Sequence, residues 1–328
     1  MTICDRQGLK QTAASRLASA AYSPRRLMLI HTGVSLGAGV LLSVLSLALN
    51  SAIANTGGLS GIGTRSILTT LQSFLQLAVM VLLPFWEIGM IYTATRLARG
   101  ESAEPMHLTR GFGRIGPVLV LNLLRGFLLG FLAVVCANVS SILIGLTPFA
   151  KSMMEVMTPL IEQIETTGTV PVLDDATVTA LFRSMLPMFI LTAVLYLVAA
   201  VFAMYRLRFA DYVIVDEPRV GAIGSMLASW RMTRGKLWGL VKLDLSFWWF
   251  YGLYLLLTVL SYGDWILGAV GVSLPMSPEV ASLMFYGLHV LGMLALYGHS
   301  GIYLQTTYAV LYDSLRTKPE VPALPKEN

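Results

Sequence analysis

From residue 27 onward the chain is written in long apolar runs separated by short polar stretches. No charged side chain stands between Arg26 and Arg65, or between Arg65 and Glu87. Further charge-free runs cover 126–150, 184–205, 245–263 and 280–312. Crossing a bilayer takes about 20 mostly apolar residues in a helix. Extended by their apolar flanks, the runs predict six spans at about 27–50, 68–95, 115–147, 184–207, 237–261 and 281–312. The expected fold class is all-α, a polytopic transmembrane helical bundle. Its membrane domain fills 27–315, between an N-terminal segment 1–26 and a tail 316–328.

Two stretches outside the spans carry a helical period of a different kind. In "PFAKSMMEVMTPLIEQIE", Met153, Met154, Met157, Leu160, Ile161 and Ile164 share one stripe, which predicts an amphipathic helix at the membrane surface. Methionine adapts to irregular surfaces, so this face suits a partner as well as lipid. "TTGTVP" ends that helix and "DDAT" caps the next. In 216–235, Asp216 of "VDEP" reads as an N-cap and Pro218 as a first-turn residue. Ile223, Met226, Leu227 and Trp230 then recur at i, i+3, i+4 and i+7. A second interfacial helix is expected here, ended by Gly235 and followed by the fifth span.

Composition agrees with the membrane reading. Hydrophobic residues make up 55% of the 328 and charged ones 12%, with a mean hydropathy of +0.70, whereas soluble domains carry about 25% charged residues. The net charge of +5 takes its meaning from position. All but Arg65, Arg125, Lys151 and Arg183 of the 23 Lys and Arg residues fall before span one, between spans two and three, around 206–242, or in the tail. Cations mark the cytoplasmic side, so both termini are expected there. Arg231, Arg234 and Lys236, with Trp230 and Trp238, are placed to meet lipid headgroups. Membrane lipids are the expected partners, with a membrane protein or a second copy of the chain besides; no nucleic-acid partner is expected. "Ala-Ile-Ala" at 52–54 has the small-x-small form of a signal cleavage site. The apolar run before it, roughly 24 residues, exceeds the 7–15 of a signal core, and an uncleaved first span is expected.

Charge inside a bilayer is costly and is a functional candidate by default. Glu87, Arg125 and Asp244 all fall at a similar depth from the cation-rich side, about 10–15 Å at 1.5 Å per residue. Arg125 is therefore a candidate partner for Glu87 or Asp244. A packing ion pair and a polar inner-leaflet cavity both remain open readings of the three. His299, in "YGHSG", is a weaker candidate. Cys4 and Cys136 build neither a disulfide framework nor a metal site, and no metal or other cofactor is expected. "GFGRIG" (111–116) has the dinucleotide glycine spacing, but that fingerprint needs a strand before it; between membrane helices the glycines are expected to turn the chain into span three. Gly33/Gly37 and Gly126/Gly130 are spaced for close helix contact. No nucleophile elbow, phosphate loop or zincin motif occurs, so no catalytic residue is assigned and a non-enzymatic role is expected. "LTRGFGRIGPVLVLNLL" and "MTRGKLWGLVKLDLSFW" echo each other, each after a basic linker and before a span.

In order, "LPFWEIGMIYTATRLARGE…LTRGFGR", "YRLRFADYVIVDEP", "SMLASWRMTRGKLWGLVKLDLSF" and "YAVLYDSL" resemble a bacterial integral-membrane family known as domain of unknown function 975, over roughly residues 80–315. The resemblance implies fold and location, a multi-pass protein of the bacterial cytoplasmic (inner) membrane, and no activity. The role expected is a non-enzymatic membrane component that assists or regulates other envelope proteins; the alternative is a transporter of a small molecule or lipid through a polar inner-leaflet cavity.

Overall fold

A computed structural model describes residues 5–55, 61–168, 174–272 and 275–316. Every regular element among them is helical. In chain order these are α1 (Arg6–Ala18), α2 (Pro24–Asn55), α3 (Gly61–Ala98), a 3-10 segment (Pro105–Arg114) continuous with α4 (Ile115–Gly145), α5 (Pro148–Thr167), α6 (Asp175–Leu207), α7 (Ala210–Asp216), α8 (Ala222–Thr233), α9 (Leu237–Leu245), α10 (Trp248–Leu260), α11 (Gly263–Ala269), α12 (Pro278–Leu296), a π-helical turn (Tyr297–Gly301) and α13 (Ile302–Leu315).

Among the described residues five segments are long and apolar enough to cross a membrane: Pro24–Ile53, Gly63–Ala98, Pro105–Gly145, Asp175–Asp216 and Val280–Leu315. α9 and α10 together make a sixth, but they meet at 68°. The span expected to run unbroken over 237–261 is therefore two helices joined at Ser246 and Phe247. Large apolar side chains such as Phe127, Phe189, Leu197 and Leu255 face outward along these segments, the distribution that a hydrocarbon solvent allows and water does not.

The chain forms two compact units, Met1–Leu121 with Arg208–Asn328, and Asn122–Leu207. In the second unit α5 starts with a proline in its first turn and stops, as expected of "TTGTVP", at Gly168, whose φ of 65° is open to a residue without a Cβ. Met154, Ile161 and Ile164 of its stripe are exposed. The Thr177 N–H donates to the Asp174 side chain at 3.0 Å, the cap that "DDAT" promised. Residues 169–173, which include the second half of the "TTGTVP" break, lie outside the described residues.

In the first unit Leu27 and Met28 of α2, Met90 and Leu97 of α3, Leu108 of the 3-10 segment and Ile302 of α13 close one core. Two glycines make this possible. A Cβ on Gly89 would lie 1.7 Å from the Leu108 carbonyl oxygen, and one on Gly111 would lie 1.9 Å from that of Phe85. Gly111 of "GFGRIG" thus lets the 3-10 segment lie directly on α3, a role beyond the turn expected of it. Because backbone cannot yield as a side-chain tip can, Gly89→Ala is expected to destabilise the protein by about 1–3 kcal/mol through overpacking. Thermal unfolding of the purified variant checks this, and an unchanged midpoint would refute the contact. Around Gly33, Gly37, Gly126 and Gly130, by contrast, an added Cβ meets nothing within 4 Å, so within each unit no close helix contact is made at these glycines among the described residues.

α8 carries a further correction. Its N-cap is Gly221, with no side-chain cap. Asp216 ends α7 instead, because stronger donors claim its carboxylate: Arg99 and Arg316, with the Tyr312 hydroxyl. Ala222, Ser225, Ser229 and Thr233 are the buried face of α8, while Ile223, Leu227 and Trp230 point outward. Small side chains let it sit close to the protein and the expected apolar stripe faces away, as an interfacial helix requires. Gly235, at φ 72°, then turns the chain into α9.

Candidate functional site

A cavity of about 420 Å³ opens among α2, α3, α10, α12 and α13. Its wall is polar although its helices are membrane spans. α2 contributes His31, Thr32 and Ser35, α3 contributes Glu87, α10 contributes Tyr254 and Thr258, and α12 contributes His289; Tyr297 of the π turn and Gln305 of α13 complete it.

Helical spacing puts these groups on facing stripes. His31, Thr32 and Ser35 stand at i, i+1 and i+4; Tyr254 and Thr258, followed by the lining residues Ser261 and Tyr262, fall at i, i+4, i+7 and i+8. Pro84 interrupts the α3 hydrogen-bond ladder one turn before Glu87. The π turn, a feature often found at functional sites, carries Tyr297 to the wall.

The His31 ring is 4% exposed and stacks on Trp86, with centroids 5.7 Å apart and planes at 2°. Trp86 donates its indole N–H to the His31 carbonyl at 2.9 Å. Neither His31 ring nitrogen has a hydrogen-bond partner among the described residues, and Nε2 lies 3.7 Å from the Glu87 carboxylate. Glu87 keeps 53% of its side chain accessible, because the cavity, not bulk protein, lies in front of it. His289 Nδ1 sits 2.8 Å from the Leu257 carbonyl. A carbonyl can only accept, so Nδ1 carries a proton that is directed at Leu257 and away from the cavity. Ser35, Thr258 and Ser261 donate their hydroxyl protons to helix carbonyls at 2.7–3.0 Å, which leaves oxygen lone pairs for the cavity. The wall is rich in acceptors.

Asp244 has a different place. Arg208 holds it with two hydrogen bonds, at 2.7 and 3.2 Å, and Tyr251 donates a third at 3.0 Å. The Arg208 guanidinium lies 3.8 Å over the Tyr308 ring. This clamp stands beside the α9–α10 break, where Lys10 of α1 donates to the Ser246 carbonyl at 2.8 Å and covers the Phe247 ring at 3.9 Å. Arg125 lies on α4, in the second unit. His299 faces another cavity of the first unit, lined by Leu17, Pro24, Arg25 and Trp249. Arg231, Arg234 and Lys236 surround the Gly235 turn, with Trp230 and Trp238 exposed on either side.

A third arrangement ties together helix ends that are distant in sequence. Arg99 makes a two-pronged contact to Asp216, at 2.7 and 2.9 Å, and bonds Asp313 at 2.6 Å. Arg316 reaches Asp216 at 2.5 Å. The hydrogen bonds to Asp216 and then to Asp313 hold the Arg99 guanidinium well above its ordinary pKa. Arg99, Asp216 and Asp313 come from "RLARGE", "VDEP" and "LYDSL", segments on which the family resemblance rests, and Arg316 follows the last of them. A family model described as a protein of unknown function (DUF975) matches residues 9–319. The chain belongs to the DUF975 family. No curated protein and no solved structure matches it. In this DUF975 chain the recognisable segments meet at the ends of α3, α7 and α13, while the cavity is built largely from residues outside those segments. His31 and the hydroxyl stripe of α10 are wall residues that the sequence reading did not single out, and His289, read there as an isolated histidine of span six, lines the cavity as well. For the α10 stripe the signal was its i, i+4, i+7 spacing within a charge-free run.

Proposed function

We propose that the cavity around Glu87, His31 and His289 receives a small solute that donates hydrogen bonds, such as a protonated amine, and that the protein carries this solute across the membrane. The observation behind this reading is the acceptor-rich wall: a carboxylate, hydroxyl oxygens and a histidine whose proton is directed away to a carbonyl. An intramembrane carboxylate facing a polar cavity marks a solute or ion path. Transporters often build such sites beside interrupted helices, and the α9–α10 break belongs to the same unit. On this reading the protein resides in the bacterial inner membrane, with both chain ends cytoplasmic by the positive-inside rule.

Proteoliposomes containing the full chain should accumulate one or more members of a mixture of small amines and polyols, read by mass spectrometry. Glu87→Gln is expected to reduce that uptake by at least about tenfold, the loss of one charge-assisted hydrogen bond, without lowering the yield of folded protein. Uptake no greater than in empty vesicles would end the transport reading. The exposed Met154, Ile161 and Ile164 on α5 support a second reading, a component that docks on and assists other envelope proteins. Met153, Met154 and Met157 replaced together by Ser should then abolish co-purification of a partner.

A further inference from the structure

A second cavity, about 430 Å³, lies in the first unit at the C-terminal end of α3, beneath the 3-10 segment and beside the turn after α7. Four arginines line it: Arg96, Arg99, Arg110 and Arg114. Their charges are matched unequally. Arg99 is fully engaged by Asp216 and Asp313. Arg96 donates to the Ser102 carbonyl at 2.8 Å and stands 3.5 Å from the half-exposed Glu101. Arg114 donates to the carbonyls of Ile214 and Pro218, which hold its guanidinium in place and leave its charge uncompensated. Arg110 is exposed and makes no hydrogen bond or ion pair among the described residues. Two cationic forks therefore face one cavity without carboxylate partners, one of them oriented by backbone.

Planar guanidinium forks match the oxygens of phosphate as they do those of a carboxylate, and a phosphate monoester, with −1.5 to −2 charge near neutral pH, answers two uncompensated cations where a carboxylate answers one. We propose that this cavity binds a phosphate group on a small ligand, with Arg110 and Arg114 as its principal contacts and Arg96 as a third. A phospholipid headgroup and a free phosphate compound share this chemistry. The site is separate from the Glu87 cavity and its test does not depend on transport.

The experiment titrates the full chain, purified in a neutral detergent, with dihexanoyl phosphatidic acid, inorganic pyrophosphate and dihexanoyl phosphatidylcholine, following intrinsic tryptophan fluorescence. Phosphatidic acid or pyrophosphate should bind and phosphatidylcholine should bind at least about tenfold more weakly. Binding of phosphatidic acid alone assigns a lipid headgroup; equal binding of pyrophosphate assigns a free phosphate compound. Arg110→Gln should weaken binding about tenfold at an unchanged unfolding temperature, since Arg110 supports nothing else. Arg96→Gln should weaken it by a smaller factor and serves as an independent variant. Failure of both anions to bind below millimolar concentration, or undiminished binding by Arg110→Gln, overturns the proposal.

Discussion

Arg99→Ala is expected to destabilise the protein by about 3 kcal/mol, enough to remove most folded protein from a detergent extract. Removing one member of a buried ion pair costs about 3–5 kcal/mol, because the partner charge is left without compensation. Arg99 leaves two such partners. Asp216 is 10% exposed, and Asp313 shares the same guanidinium; without it the two carboxylates repel each other across the vacated position. Partial water access to Arg99 and Asp313 keeps the expectation at the lower end of the range. Arg316 and Tyr312 still reach Asp216, but Asp313 gains nothing from them. Arg99→Lys should recover less than half of the loss, since one ammonium cannot reproduce a two-pronged bond to one carboxylate while holding another. Fluorescence-detected gel filtration and thermal unfolding measure both variants. A monodisperse Arg99→Ala protein with an unchanged unfolding temperature would show that the cluster does not hold the three helix ends together.

Asp216 also shows where a sequence stops being legible. Next to a proline and ahead of an amphipathic stripe it has the local signature of a helix cap. Its actual partners, Arg99 and Arg316, lie 117 and 100 positions away, and no local pattern reports them. The α9–α10 break is hidden for the same reason. "LDLSFWW" contains no proline or glycine, yet the helix bends there, with the Ser246 hydroxyl turned onto the Leu243 carbonyl and Lys10, 236 residues earlier, holding the freed Ser246 carbonyl. What could be read was whatever depends on neighbours along the chain. The six membrane-length segments follow from charge-free runs, the outward stripe of α8 from its period, and the Asp174 cap from its spacing. Glu87 was legible as a charge in an apolar run. Its facing histidine was not, because His31 belongs to another helix.

Asp244 tests which intramembrane charges are structural. Arg208→Ala is expected to destabilise the protein by about 3–5 kcal/mol. It would take both guanidinium hydrogen bonds from a carboxylate that is 9% exposed, with the Tyr251 hydroxyl still donating to it. Asp244→Asn keeps the shape and some hydrogen bonding but removes one carboxylate charge from beside the Arg208 guanidinium, so a smaller loss of about 2–3 kcal/mol follows. Replacing both by apolar residues of similar volume, Arg208→Met with Asp244→Leu, should recover much of the stability, because no charge is then stranded. The abundance of folded protein in membranes distinguishes this from a role in solute handling. A clamp gives single variants that are scarce and a double variant that is restored. A binding residue gives an Asp244→Asn protein of normal abundance that has lost uptake, and that outcome would move the solute path from Glu87 to the α9–α10 break.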